Sequence, residues 1–369
     1  MPLLRGAPVR VQPYFGYRNQ RRLVISARAL RSGKEDFSRG GRWQAMRTML
    51  AQFASREAAG VAVTLVAKMP GGSAVRHEAV TDKEGFVHFR IDLDHCQLPA
   101  KPMWEVITLR WATRDGAQYA EGHVLAPAAN AQLGVISDID DTIIETGITG
   151  SFRAIVRNWK RILAQMPDER LHVPGVDTFY AALGGGAVLQ DSSNQGKSVP
   201  TLTRRPFFYV SSSPWNLFSY LVAFKKSRKL PLGPIMLRDW GFNRDTFGSA
   251  SHGAHKREAI AAILGAYPDM RFALIGDDTQ GDLVAYGNIV RNYPGRIAAV
   301  FIRTAGEDFT ASEEEARSHI IASGVPLWLG SGYASGQAFL REAGLASDSD
   351  AAQIVTTIDK AHKASGTAA

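Results

Sequence analysis

The stretch GVISDIDDTIIETG, residues 134–147, decides how this chain is read. An apolar run, Gly134-Val135-Ile136, leads straight into Asp138, Asp140 and Asp141. Like charges that close repel one another, and at the end of a buried strand each is costlier still to ionise. A bound cation is the natural offset, and the rest of the chain should supply the groups that complete such a site. In an extended chain, residues two apart face the same side. Asp138 and Asp140 therefore point together into one crevice, with Ile139 turned away.

Outward from this point the texture is strand–helix alternation. Apolar runs at 134–137, 206–211, 234–237, 271–276 and 297–303 predict strands, and helical patterns fall at 151–165, 215–226, 256–266 and 282–292. That alternation predicts a mostly parallel sheet, whose near-continuous apolar strands are buried on both faces. In such sheets ligands bind beyond the carboxyl ends of the strands. After the second strand stands Ser211-Ser212-Ser213-Pro214-Trp215-Asn216. Hydroxyls and backbone N–H groups near a helix start make an anion cradle. After the run at 271–276 comes a second acidic loop, Asp277-Asp278-Thr279-Gln280-Gly281-Asp282. Two acidic loops facing one crevice make a hard, oxygen-lined site that suits Mg²⁺. One carboxylate of the first loop can attack phosphorus while its neighbour protonates the leaving oxygen and later activates water. Each piece alone has a plainer reading. Asp282 could be a helix N-cap, SSSPW a turn with proline at the first helical position, and Lys256 a solvated first-turn lysine. The order of the four pieces along the chain is what argues for one machine.

Before this region, residues 1–130 read as β structure. Short runs at 22–30, 61–66, 86–91 and 104–109 are rich in Val, Ile, Phe and Thr, and TDKEGFVHF at 81–89 carries turn chemistry followed by alternation. Several short strands at this spacing predict a small sandwich, with one helical insert at 43–54. His77, His88, His95 and His123 are too scattered to form a metal site.

Composition sets the bounds. The chain has 369 residues, 45% hydrophobic and 21% charged, with a net charge of +8 and a single cysteine, Cys96. No intramolecular disulfide can form, which fits a reducing, cytoplasmic setting. The N-terminus lacks the apolar core of a secretion signal, and no run approaches the roughly 18 apolar residues of a membrane span. The positive charge is concentrated at one end: residues 1–60 hold 12 Lys or Arg against three acids. Either that end is drawn to a polyanion, or its arginines simply solvate an edge. Interleaved aromatic and basic residues of the kind that bind nucleic acid are absent from the sequence pattern.

The four pieces resemble the haloacid dehalogenase superfamily of phosphotransferases. Asp138-Ile139-Asp140-Asp141-Thr142 matches its DxDxT motif, and Phe207-Phe208-Tyr209-Val210-Ser211 its apolar strand ending in a hydroxyl. Lys256 matches the third-motif lysine, and Gly276-Asp277 with Asp282 the acidic loop. The surrounding words GVISDIDDTI, FFYVSSSPWNLF, HKREAI and IGDDTQGD, with PYFGYRN near the start, are similar to the actin-patch-associated phosphatidate phosphatase family.

The resemblance implies an α/β fold with a Rossmann-like parallel sheet over 131–345. It also implies a small cap inserted at about 143–205 and an N-terminal β-rich domain, read above as a sandwich over 1–130; beyond the resemblance, a helical tail is expected at 346–369. It implies Mg²⁺-dependent hydrolysis of phosphatidate through an aspartyl-phosphate, with a soluble phosphomonoester or a non-catalytic scaffold role as alternatives. Asp138 would be the nucleophile and a metal ligand, Asp140 the general acid/base with its carbonyl on the metal, and Ser211 and Lys256 the phosphoryl anchors. Asp277 and Asp282 would complete the metal site. The family more often reads GDS where this chain has Gly276-Asp277-Asp278, which leaves Asp277 and Asp278 as alternative ligands.

Within the expected cap, the run at 152–163 places Arg153, Arg157, Lys160 and Arg161 on one side of a helix. It either docks on an anionic membrane surface or packs Trp159 against the body. The loop at 184–203 reads as a lid, and Ser312-x-x-Glu315 as a capping box.

Overall fold

The computed structural model describes residues 8–31, 56–70, 72–114, 116–139, 175–188, 202–238, 249–278, 281–304, 306 and 308–345. The helices expected at 43–54 and 151–165, Asp140, and the tail at 346–369 lie outside these.

The described residues between 8 and 126 build one nine-stranded sheet. Its strands are β1 (Val9–Pro13), β2 (Gly16–Arg18), β3 (Arg22–Arg31), β4 (Arg56–Glu57), β5 (Ala62–Lys68), β6 (Ala74–Val80), β7 (Phe86–Asp92), β8 (Met103–Thr113) and β9 (Gly116–Ala126). Alternation carries the fold. Leu23, Ile25, Ala27 and Ala29 of β3 are buried with Val63, Leu65 and Ala67 of β5 and with Ile107 and Leu109 of β8. The two ends of the sheet meet where β6 comes against β7. The predicted turn at 82–85 is present: Asp82 Oδ1 accepts from the N–H groups of Glu84 (2.9 Å) and Phe86 (2.8 Å).

The second sheet has six parallel strands: β10 (Leu133–Asp138), β13 (Phe207–Pro214), β14 (Ile235–Arg238), β15 (Arg271–Asp277), β16 (Ile297–Arg303) and β17 (Leu327–Gly330), in the order β14-β13-β10-β15-β16-β17. Five of the six fall where the sequence predicted them. A short antiparallel pair, β11 (Ala187–Val188) with β12 (Leu202–Thr203), closes the ends of the loop read as a lid. Helices α1 (Val176–Leu183), α2 (Phe218–Ser227), α3 (Ser249–Ala266), α4 (Asp282–Asn292), α5 (Ala311–Ala322) and α6 (Tyr333–Glu342) surround the sheet.

Two apolar clusters, one on each side, account for why this sheet is buried on both faces. Val135 and Phe207 join α1, α2 and α6 on one side, while Ile136, Phe208 and Leu274 join α3 and α4 on the other. The sequence placed α1 inside the expected cap. It is core instead: Phe179 and Tyr180 are fully buried, with Phe179 stacked on Tyr333 and on Trp328.

The helix cap predicted at Ser312 stands two residues earlier, where Thr310 and Glu313 form the reciprocal capping box. Pro214 ends β13 rather than opening a helix, and a short 3₁₀ turn, Trp215–Leu217, intervenes before α2.

Candidate active site

β10 lies between β13 and β15, so the carboxyl ends of three neighbouring strands carry the predicted residues. Asp138 ends β10 and is 1% exposed. It shares a face with Ile136, which packs on α3. That geometry lets α3 send Lys256 up to the strand end. α3 begins at Ser249, seven residues before Lys256, so this lysine is not in the first turn. It is 1% exposed and not solvated. Its Nζ is 3.0 Å from Asp138 Oδ1 and also pairs with Asp282 Oδ1.

Asp277 ends β15, fully buried. Asp282 is the first residue of α4, but Gly281 occupies the N-cap position and the Asp282 side chain does not cap. It turns back instead, with Oδ2 accepting from the Asp277 N–H at 3.3 Å. Gly276 is required for this closure. A Cβ there would sit 2.8 Å from Asp282 Cβ and 2.9 Å from its Cγ, inside any real contact distance.

Burial raises the Asp282 carboxyl to about 6, with Lys256 drawing it down and Asp277 pushing it up. The buried Tyr286 hydroxyl donates to the Ile275 carbonyl at 2.8 Å. It is held well above its ordinary range, by burial first and then by the charges of Asp282, Asp138 and Asp277. Asp282 links the three carboxylates, sharing Lys256 with Asp138 and accepting from the Asp277 N–H.

Ser211 is fully buried on β13, and its Oγ accepts from the Ser213 N–H at 2.9 Å, where the strand's register shifts between Val210 and Pro214. Asp278 is half-buried, with its N–H donating to the Arg303 carbonyl at 3.1 Å. Of the predicted residues, Asp138, Lys256, Asp277 and Asp282 gather at one end of the sheet, with Ser211 on the adjoining strand. Asp140 lies outside the described residues.

The donor set is wholly carboxylate oxygen, the chemistry a hard divalent cation takes. Asp138 and Asp282 share the Lys256 ammonium, and Asp277 is fully buried at the neighbouring strand end. Among the described residues no three His, Cys, Asp or Glu converge on one point by themselves. The residues fit such an ion in kind, with two of them, Asp138 and Asp277, on neighbouring strands.

Sequence reasoning missed the supporting groups. Ser137 Oγ donates to the Asp138 carbonyl at 2.6 Å and lies 2.7 Å from the Tyr180 hydroxyl, which braces the end of β10 from the opposite face. Neither residue carries a local signal for that role.

Residues 133–304 match the family model for the catalytic domain of phosphatidate phosphatase APP1. Phosphatidate phosphatase APP1 of Saccharomyces cerevisiae is 31% identical over 191 residues, covering 51% of this chain and 29% of that protein. An uncharacterized protein of Schizosaccharomyces pombe is 27% identical over 179 residues, covering 48% of this chain and 26% of its own. The chain thus spans less than a third of the length of either curated relative. Among solved structures, a β-glucuronidase of Parabacteroides merdae aligns at 8% identity and a TM-score of 0.27, covering 87% of this chain and 39% of that one. A likeness so weak says nothing about fold or activity. No helix among the described residues is long and apolar enough to cross a membrane.

Proposed function

We propose that residues 131–345 form a phosphatase domain of the haloacid dehalogenase type, preceded by a sandwich-like β domain over 1–130, and that the protein hydrolyses phosphatidate to diacylglycerol and phosphate. The observation that carries the chemistry is Lys256. Its ammonium is buried between Asp138 and Asp282, beside the strand end that bears Ser211. The lipid substrate rests on the similarity of residues 133–304 to phosphatidate phosphatase APP1.

In this reading Asp138 attacks phosphorus. A bond forms between its carboxylate oxygen and phosphorus while the bond from phosphorus to the glycerol oxygen breaks, and Asp140 gives that oxygen its proton. Water then attacks the aspartyl-phosphate, passing a proton to Asp140. Phosphate leaves, and both carboxyl groups return to their starting state. Lys256 and Ser211 anchor the phosphoryl oxygens through both steps, and this positioning with charge stabilisation supplies most of the rate. Asp282 holds Lys256 in place and backs the Asp277 N–H. Asp138, Asp277 and the Asp140 carbonyl would hold Mg²⁺, with Asp282, whose oxygens already meet Lys256 and the Asp277 N–H, completing the set. When bound, the ion would supply positive charge to offset the crowded carboxylates and the phosphoryl oxygens.

The test is phosphate release from phosphatidate vesicles and from a soluble aryl phosphate, each with Mg²⁺ or EDTA, using wild type and Asp138→Asn. Mg²⁺-dependent release from lipid, lost in the variant, is the expected outcome. Release from the soluble ester alone would sink the lipid assignment. Equal release by wild type and variant would sink the nucleophile.

A further inference from the structure

The β-rich sheet does more than precede the phosphatase-like body. It grips the segment that follows Ser211. Four of the five residues from Trp215 to Ser219 are held by side chains of the first sheet or the turn within its N-terminal run. The Trp215 ring lies 4.3 Å from the ring of Tyr14 and 6.0 Å from that of Phe86. Phe218 meets Tyr14 edge-on at 4.8 Å and Phe15 at 5.4 Å. Ser219 Oγ accepts from Gln12 Nε2 at 2.7 Å. Asn216 Oδ1 accepts from Arg28 Nη1 at 2.5 Å.

Arg28 is the informative member. It is 9% exposed, yet its guanidinium is set in place before it reaches across. Nε donates to the Glu84 carbonyl at 3.0 Å, Nη2 to Glu57 Oε1 at 3.2 Å, and the Phe86 ring lies under the guanidinium at 4.5 Å. With its other faces fixed, the remaining Nη1 presents one charged donor in one direction. A preorganised, charge-assisted hydrogen bond of this kind orients its acceptor more firmly than a mobile surface contact. Asn216 follows the end of β13 by two residues, so what orients it also fixes the exit of the irregular strand end that carries Ser211 and Ser213.

We propose that Arg28 is a positioning residue for the phosphoryl-binding segment at 211–216, acting through Asn216, so that the β-rich sheet completes the site. The inference rests on the reading of Ser211 as a phosphoryl anchor. Inorganic phosphate, titrated calorimetrically into the full chain with Mg²⁺, is the probe. Arg28→Gln and Asn216→Ala should each weaken phosphate binding about tenfold, the scale of one charge-assisted hydrogen bond. The double variant should be no worse than the poorer single, because both remove one contact. Arg28→Lys, which keeps the charge but not the fork, should recover part of the affinity. Arg22→Gln, on the same strand but in an exposed ion pair with Asp92, should bind as wild type does. Amide hydrogen exchange over 211–217 should rise in Arg28→Gln while the melting temperature stays close to wild type. Phosphate affinity within twofold of wild type in both single variants, or losses that add in the double, would overturn the proposal. A wild type that neither binds phosphate nor releases it from any ester would overturn the phosphatase reading instead. In that case the exchange measurement still decides the positioning claim, since unchanged exchange over 211–217 in both variants refutes it.

Discussion

Replacing Lys256 by methionine nearly preserves side-chain volume and removes one buried charge. Lys256 is 1% exposed and lies 3.0 Å from Asp138, with Asp282 on its other side. Breaking a buried ion pair by deleting one partner costs about 3–5 kcal/mol, because the other charge is left without compensation. For a domain of this size each kcal/mol lowers the melting temperature by roughly 2–4 °C, so Lys256→Met should melt about 10 °C below wild type. Both Asp138 and Asp282 lose this cation, which places the loss toward the upper end of the range. Adding Asp282→Asn removes one of the two affected charges and keeps an oxygen for the Asp277 N–H. The double variant should therefore recover part of the loss while leaving Asp138 exposed to the deficit. Scanning calorimetry in EDTA measures this without ion binding, and phosphate release should fall by at least about a hundredfold in both variants. A single variant melting within about 2 °C of wild type, or a double variant losing the sum of the two single effects, would refute the argument that Lys256 neutralises this site.

Mg²⁺ should raise the wild-type melting temperature by linkage, and Asp277→Asn should show a smaller rise; equal shifts would remove Asp277 from the ion's ligands. Lys225 is fully buried, its ammonium 3.1 Å from the centre of the Tyr209 ring, and burial holds it well below its ordinary 10.5. The folded state therefore binds fewer protons than the unfolded chain in the window below 10.5, so this group favours folding more as pH rises toward that value and less as pH falls. Lys225→Met should be more stable at neutral pH and show a flatter stability profile between pH 7 and 10, which denaturant titrations at several pH values would check; an unchanged slope would contradict it. A Cβ on Gly233 would overlap the Phe207 carbonyl, so Gly233→Ala should cost roughly 1–3 kcal/mol or more and lower soluble yield, whereas Gly265→Ala, where nothing lies within 4 Å, should not.

The parallel sheet was legible because its strands are continuous apolar runs buried on both sides, a pattern that needs no long-range information. Asp138, Ser211, Asp277 and Asp282 were legible for the same reason, each standing just after such a run or opening the next helix. Lys256 was visible only by order: HKREAI alone reads as a solvated helix start, and the buried environment comes from α3 beginning seven residues earlier and packing along β10. Strands β1 and β2 escaped because they are only five and three residues long, and β6 and β9 because polar and small residues blur the alternation, as in AVRHEAV over Ala74–Val80, exposed along most of its length. β17 is only four residues long. Tyr180 and Arg28 were illegible in principle. Their partners stand 43 and 188 residues away, and nothing local in the sequence encodes those pairings.

The similarity to known catalytic domains runs from 133 to 304, but chain segments outside it are stitched into the same solid. β17 pairs with β16 through Val300 to Arg303, and Phe301 packs on Trp328 and Phe339. Upstream, the Asn19 side chain donates to the Ala266 carbonyl at 2.6 Å, and Tyr17 wedges against Phe208 and Tyr267. A fragment cut at the ends of the matched region would carry one strand edge stripped of its neighbour and a row of uncovered aromatic rings. The stretch that the family model matches is therefore smaller than the unit these contacts hold together.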